Sequence, residues 1–431
     1  MRRWNLCVMT PILCAAILTG CGRGNATPAS TEKPQATATP ETSELAEPTP
    51  TQTPARALHW IDGRNSEGLY WREPLYGEGG RRYGDGGIGA HYFDFARATE
   101  EIVGKPQNFE NGNVYLFADE DSLYWAWSGM ILDTPVLLRS DLDGSNCESV
   151  YDFPQGTAIG VWDGGLASDG DGLYFRYSQI SDDPKVPDEN FLVRLDLTTR
   201  TLETVTRWDK FWGNLMGVWQ NRLLITRTLL AEDCPVEPVY DHYSVANREE
   251  LSPWLRTVLY ALDPVTGQEE ELYSEPGFFL ARSDLAYDAL WSVDDQSRLI
   301  CRPLGQTEDQ VLAQLPEGAY IWGVYDEDVL LYCTEEGEQW LYVYHRADGS
   351  LDRSPRKGWF GGEYRAISII GEAGPGRYLV LSDANTGMQQ LAGADGTQYL
   401  IDGYNGYAIA SREALLDSSV PMTPVTRPGT P

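Results

Sequence analysis

Short apolar runs separated by polar turn residues fill the chain from Ala57 to about Asp417, and helical spacing is almost absent there. Residues 122–151 show the pattern most plainly. An aromatic run (Leu123, Tyr124, Trp125) predicts one strand, residues 136–139 a second and residues 149–151 a third. Between the last two lies Asp143-Gly144-Ser145-Asn146. Asp and Gly accept the positive φ of a tight turn, so this pair between alternating apolar runs predicts a hairpin.

The layout recurs about every fifty residues. Aligned on their second strands, the units fall at 68–71, 122–125, 172–175, 222–226, 289–291, 329–332 and 377–381. A candidate inner strand precedes each, and three look alike: Ile159-Gly160-Val161-Trp162, Met216-Gly217-Val218-Trp219 and Trp322-Gly323-Val324-Tyr325. Third and fourth strands form hairpins turning at 198–200, 263–267 and 348–350. Four strands per unit, repeated radially, predict an all-β fold: a β-propeller of seven blades of antiparallel strands, with six or eight as alternatives. Glycine in the inner strands reads as a device for close backbone approach at the axis. Ring closure has two readings. Residues 406–415 form an inner strand that pairs near the start of the domain, which is preferred, or residues 58–62 are that strand and 406–415 pack outside.

The segment Leu123-Tyr124-Trp125 followed by Leu138-Arg139-Ser140-Asp141-Leu142-Asp143-Gly144-Ser145-Asn146 resembles the propeller repeats of low-density-lipoprotein-receptor-related proteins. It resembles still more the bacterial lipoproteins that carry a related propeller-like domain of unknown function. Tyr407-Ala408-Ile409-Ala410-Ser411-Arg412-Glu413 is similar to their usual ending. The likeness spans roughly 57–417 and is strongest in the second unit. There are departures: the receptor Tyr-Trp-Thr-Asp core is Tyr124-Trp125-Ala126-Trp127, and the cysteine pair often seen after the first unit is absent around 104–109. The receptor type also has six units. The resemblance implies a fold more than a function.

Composition changes at both ends. Arg2-Arg3 precede an apolar run over 4–18 and then Leu18-Thr19-Gly20-Cys21. A basic start and a short apolar core mark an export signal. The last four residues resemble a bacterial lipobox, which implies cleavage before Cys21 and a diacylglyceryl group on its thiol; the plainer alternative is a secretory signal with an incidental cysteine. Two acyl chains anchor durably. The expected organisation is a signal peptide over 1–20, then lipidated Cys21 with a Thr/Pro-rich linker over 21–56. The propeller follows over 57–417, and a disordered tail over 418–431. Linker and tail lack the apolar residues to bury a core. The expected place is the extracellular face of a bacterial membrane, held by the lipid anchor.

A formal charge of −31 argues against nucleic acid as a partner. Cys147, Cys234, Cys301 and Cys333 lie far apart and the four histidines are scattered, so spacing supports neither a metal site nor a disulfide framework, though one bridge stays open. No cofactor motif is present. Acidic runs (119–121, 182–183, 269–271, 326–328) are too common to mark a catalytic pair, and most read as turn residues. Asp141 to Asn146 opens like a calcium loop but lacks the later ligands, so it reads as a turn.

In a propeller, the loops between second and third strands emerge on one face together with the blade connections. These loops read as long in units one to four and short in five to seven, around 294–295, 335–338 and 383–387. Candidate ligand-binding residues on that face are Tyr76, Arg81, Arg82, Tyr83, Tyr177, Tyr240, His242, Tyr243 and Trp254, with Trp208, Trp212 and Trp359 from the connections. For any one of these, packing between blades is the plainer reading. Two functions follow as expectations: a binding or scaffold module for a glycan or protein, or a carbohydrate-active enzyme working from the axis.

Overall fold

The computed structural model describes residues 57–76, 88–104, 114–127, 134–160, 165–183, 185–208, 213–241, 244–278, 284–360, 363–384, 389–392, 398–401 and 405–426. Cys21, and with it the whole signal and linker, lies outside them.

Seven small antiparallel sheets form a ring, a seven-bladed β-propeller. Each of the seven second strands read from the sequence is the second strand of one blade. The fourth blade shows the unit whole: Gly213–Trp219, Arg222–Leu230, Leu255–Leu262 and Glu269–Pro276 pair in that order. The turns behave as their residues require, with positive φ at Gly144, Arg200, Gly267 and Gly349.

A blade is one sheet thick and has no interior of its own, so its apolar residues must meet a neighbour's. The core is accordingly shared. Phe117 and Tyr124 of the second blade pack with Ile159 and Phe175 of the third. Tyr174 and Leu192 of the third meet Leu215 and Leu223 of the fourth. Equivalent layers join the fourth to the fifth, the fifth to the sixth, the sixth to the seventh, the seventh to the first and the first to the second. That unbroken series of layers is what closes the ring.

Closure differs from the preferred sequence reading. Asn405–Ser411 is the third strand of the seventh blade, paired along Arg377–Ala384, and not an inner strand. The start of the domain lies along the inner edges of other blades, and the seventh blade meets the first through a shared core layer and an outer contact. His59–Ile61 runs along the axial edge of Leu166–Ser168 in the third blade, Asp62 bridges to Ala118 in the second, and Arg64 bridges to Leu69 in the first. On the outside, Thr423–Pro424 pairs with Ala408 and Ile409, and the Thr426 amide donates to the Ala98 carbonyl of the first blade at 2.9 Å. Residues 418–426, expected to begin a disordered tail, are thus part of the outer edge. The loop expected to be short around 383–387 extends to Asn405 and carries the hairpin Gln389–Ala392 and Gln398–Ile401, which pairs with Leu75 and Tyr76.

Two of the three like-placed inner-strand glycines stand at close approaches: a Cβ would fall 2.9 Å from the Arg176 side chain at Gly160 and 2.8 Å from the Tyr325 ring at Gly323. Pairing register shifts beside Gly217, Gly323 and Gly371 in the fourth, sixth and seventh blades, as at a β-bulge. At Gly217 a Cβ would meet only ordinary contacts, Leu285 at 3.5 Å and Leu224 at 3.9 Å, so there the register shift is the remaining reason. Cys147, Cys234, Cys301 and Cys333 are free thiols, the last two buried between the fifth and sixth blades.

Candidate functional site

The ring has two unlike ends. At the lower mouth, where first and second strands turn, residues 58–64 lie across the inner edges of several blades. The Leu58 amide donates to Asn221 Oδ1 of the fourth blade at 2.6 Å. Arg64 approaches Glu372 of the seventh blade at 3.5 Å and lies 5.9 Å from the Tyr325 ring of the sixth. Glu372 also accepts from the Tyr287 hydroxyl of the fifth blade at 3.3 Å and from the Asp326 amide at 3.2 Å. Nearby, Asp328 is fully buried. Arg412 Nε donates to both its oxygens at 2.8 Å, His345 Nδ1 stands 3.0 Å away and the Tyr378 hydroxyl donates to it. Burial, and then that bond to a carboxylate, pushes the Tyr378 hydroxyl up from its ordinary pKa.

The acidic runs are explained by these and similar bonds. Glu120 accepts from the Ser66 hydroxyl at 2.6 Å, and Asp119 lies 3.3 Å from His59. Asp183 accepts the Lys185 amide at 3.0 Å. Glu269, Glu270 and Glu271 pair with Arg227, Arg222 and Arg256. At the hairpin turns, Asp196, Asp263 and Asp348 each take backbone amides two or three residues on. Those amides hold the carboxyls low, Asp196 at about 2. Two axial carboxyls behave oppositely: burial pushes Asp62 up as well as Asp284. Asp284, on the inner strand Asp284–Ala286, touches water yet is walled by protein, and the loss of solvent pushes it up to about 6.

Among the described residues, the upper face carries two clefts. One, of about 700 Å³, lies between the third and fourth blades, with Arg207 and Trp208 on one wall and Leu229, Glu232, Cys234 and Val236 on the other. The second, of about 280 Å³, lies between the sixth and seventh blades and is lined by Tyr320, Trp322, Tyr332, Gln339, Arg365, Ala366, Ser368 and Leu381. Tyr332 is its floor, buried, with the hydroxyl donating to the Ile367 carbonyl at 2.7 Å. Trp322 stands edge-on to Tyr332 at 5.3 Å, and its Nε1 donates to the Ile369 carbonyl at 2.9 Å. Tyr320 is the other wall, with Gln339 Nε2 donating to its hydroxyl at 3.3 Å. The hairpin Lys357–Phe360 and Glu363–Ala366, which connects the two blades, brings Arg365 and Ala366 to the cleft and carries Trp359 against Tyr364.

The residues nominated from the sequence are scattered by this geometry. Arg81, Arg82, Tyr83, Trp212, His242 and Tyr243 lie outside the described residues, as does the side chain of Tyr76. Tyr177 is a correction: it is 6 % exposed and stacks on Phe153 in the layer between the second and third blades. Trp208 is another, 2 % exposed, its Nε1 donating to the Thr226 carbonyl at 3.1 Å, so it backs the larger cleft from the core. Tyr240 packs on Val245, Leu251 and Leu255 and holds its own loop together. Trp254 ends the helical turns Arg248–Leu251 and Ser252–Trp254, and its carbonyl accepts the Ala231 amide at 2.9 Å. Trp359 is exposed on a blade connection, as expected.

Tyr320, Trp322 and Tyr364 were not nominated, yet they are the exposed aromatics here. A signal for Trp322 existed: it occupies the position of Ile159 and Met216 in the three similar inner strands. A large ring replacing aliphatic residues there is out of keeping with a purely packing role.

No family model matches the chain and no curated protein matches its sequence. Among solved structures, a puromycin-hydrolysing peptidase of Mycobacterium tuberculosis aligns with a TM-score of 0.50 at 12 % identity, over 86 % of this chain and 54 % of that one. This chain therefore spans about half the length of that peptidase. An oligogalacturonate lyase of Vibrio parahaemolyticus aligns with a TM-score of 0.40 at 9 % identity, over 85 % of this chain and 88 % of its own. The likeness to the peptidase is one of fold alone.

Proposed function

We propose that the chain is a binding or scaffold module for a glycan or protein ligand, held at the extracellular face of a bacterial membrane through lipid on Cys21. The observation that carries the binding role is where exposed aromatic rings lie. Of the five large aromatics exposed among the described residues, Tyr320, Trp322, Trp359 and Tyr364 belong to the sixth and seventh blades and the hairpin between them, and only Tyr287 lies at the lower mouth. Apolar rings left in water at one place on a rigid scaffold are the usual mark of a recognition surface. The lower mouth is crossed by residues 58–64, which leaves the upper face as the side for a ligand. The anchoring rests on the lipobox-like sequence. The test is a glycan array and a pull-down with the full chain in detergent micelles, with metabolic labelling by a radioactive fatty acid for Cys21. A reproducible selective ligand is the expected result, and a Cys21→Ala chain that still carries label would refute the anchor.

A second reading, a hydrolase or lyase acting on carbohydrate from the axis, has one observation in its favour. A carboxyl pushed up to about 6, as at Asp284, is suited to donate a proton near neutral pH. Release of new reducing ends from an oligosaccharide, abolished in Asp284→Asn, would establish it.

A further inference from the structure

The proposed binding role leaves open both the place and the class of ligand, and the smaller cleft between the sixth and seventh blades speaks to both. This inference rests on that role. Three features of the cleft act together. First, its rings are fixed before any ligand arrives. Trp322 Nε1 is bonded to the Ile369 carbonyl at 2.9 Å, and the Tyr332 hydroxyl both donates to Ile367 and accepts the Ile369 amide at 3.2 Å. The polar edge of each ring is therefore satisfied within the protein. Even so, Trp322 stays 47 % and Tyr320 45 % exposed. Such rings offer apolar surface at little entropic cost on binding.

Second, the rim is polar and carries groups that exchange hydrogen bonds with hydroxyls: the Gln339 amide, the Ser368 hydroxyl and the Arg365 guanidinium. Third, a volume of about 280 Å³ is at or below the low end for small-molecule pockets, too small for a folded chain segment but matched to a compact ring. A ligand with an apolar face, a girdle of hydroxyls and this size is a sugar. The aromatic wall takes its C–H face and the rim takes its hydroxyls. Charge narrows the class further. Arg365 is the one cation among the lining residues, on a chain of net charge −31, so a polyanionic sugar approaches against the field of the whole protein.

We propose that this cleft is a subsite for one ring of a neutral saccharide, with Trp322 and Tyr320 as the stacking surfaces. The experiment is isothermal titration of the full chain in detergent micelles with cellohexaose, xylohexaose, maltohexaose and chitohexaose, and with polygalacturonate as the charged counterpart. Trp322→Ala and the milder Tyr320→Ala are measured beside the parent, each checked for folding by near-ultraviolet circular dichroism. Binding of at least one neutral oligomer is expected, weakened about tenfold or more by Trp322→Ala and less by Tyr320→Ala. Neutral-sugar binding that neither substitution weakens would overturn the site while leaving the binding role standing. Polygalacturonate bound in preference would overturn the neutral class alone. A protein partner lost with Trp322→Ala, when no sugar binds, would overturn the saccharide and keep the surface. Heat from none of the five sugars, with no partner recovered, would overturn both the subsite and the binding role.

Discussion

The lower mouth of the ring and the cleft between the sixth and seventh blades are built from the same residue types and put them to opposite use. At the mouth, polar groups reach across blades: Arg64 to Glu372, Arg412 to Asp328, Leu58 to Asn221. In the cleft, Trp322 and Tyr332 satisfy their polar atoms on nearby backbone and leave ring surface facing water. Blades that share their cores with neighbours need ties where they converge, and the mouth supplies them. The upper ends of the same strands are released from that duty, and recognition can occupy them. Damage to the mouth should cost stability and spare the ligand, and damage to the cleft should do the reverse.

The largest effect is expected from Arg412→Ala. It leaves the buried Asp328 carboxylate without its cation, which costs about 3–5 kcal/mol in comparable cases. Denaturant unfolding would show it, and a loss below about 1 kcal/mol would mean the mouth is not a structural tie. Next comes Ile61→Ala. Ile61 is 1 % exposed, inside the layer between the second and third blades, so truncation should cost about 2–4 kcal/mol in the same assay. If it costs nothing, the strand His59–Ile61 is not part of the layer that joins the second and third blades.

Trp322→Ala should cost less stability, about 1–2 kcal/mol because half the ring is already in water, while ligand binding weakens about tenfold or more. A larger loss of stability would make Trp322 a core residue that happens to be visible. The smallest effect is a matter of pH. The Asp284 carboxyl, raised to about 6 from 3.8, holds its proton more tightly in the folded chain than in the unfolded one. Its contribution is present below about pH 3.8, declines as pH rises towards 6 and is absent above. The turn aspartates, whose carboxyls are lowered, act with the opposite sign and below that window. A shallow fall in melting temperature between pH 4 and 6, removed in Asp284→Asn, is the expected result.

The local grammar of the fold was legible. All seven second strands and the turns at Asp143-Gly144, Asp263 to Gly267 and Asp348-Gly349 stand where the residues put them. The candidate site was far less so. Tyr177 and Trp208 looked like surface aromatics because they border loops, but strand pairing turns them into the layers between blades. Trp322 sits in an inner strand, where pattern alone does not set its exposure, and the gap between its blade and the next leaves it half exposed. An aromatic residue carries the same sequence signal in either setting. Which one it occupies depends on the neighbouring blade.

Residue order alone settled the strand periodicity and the hairpin turns, because each depends on interactions within a few residues; it favoured seven repeats, and the ring of seven sheets fixed that number. How the ring is sealed was decided only in three dimensions. The contact of Thr426 with Ala98 joins residues 328 positions apart. Residues 58–64, the hairpin ending at Ile401 and the strand Thr423–Pro424 are held likewise by distant partners. Such contacts leave no local period in the chain, since the partner that makes a segment a strand lies several blades away. The cleft belongs to the same category: its walls come from two blades, and its shape exists only once both are in place.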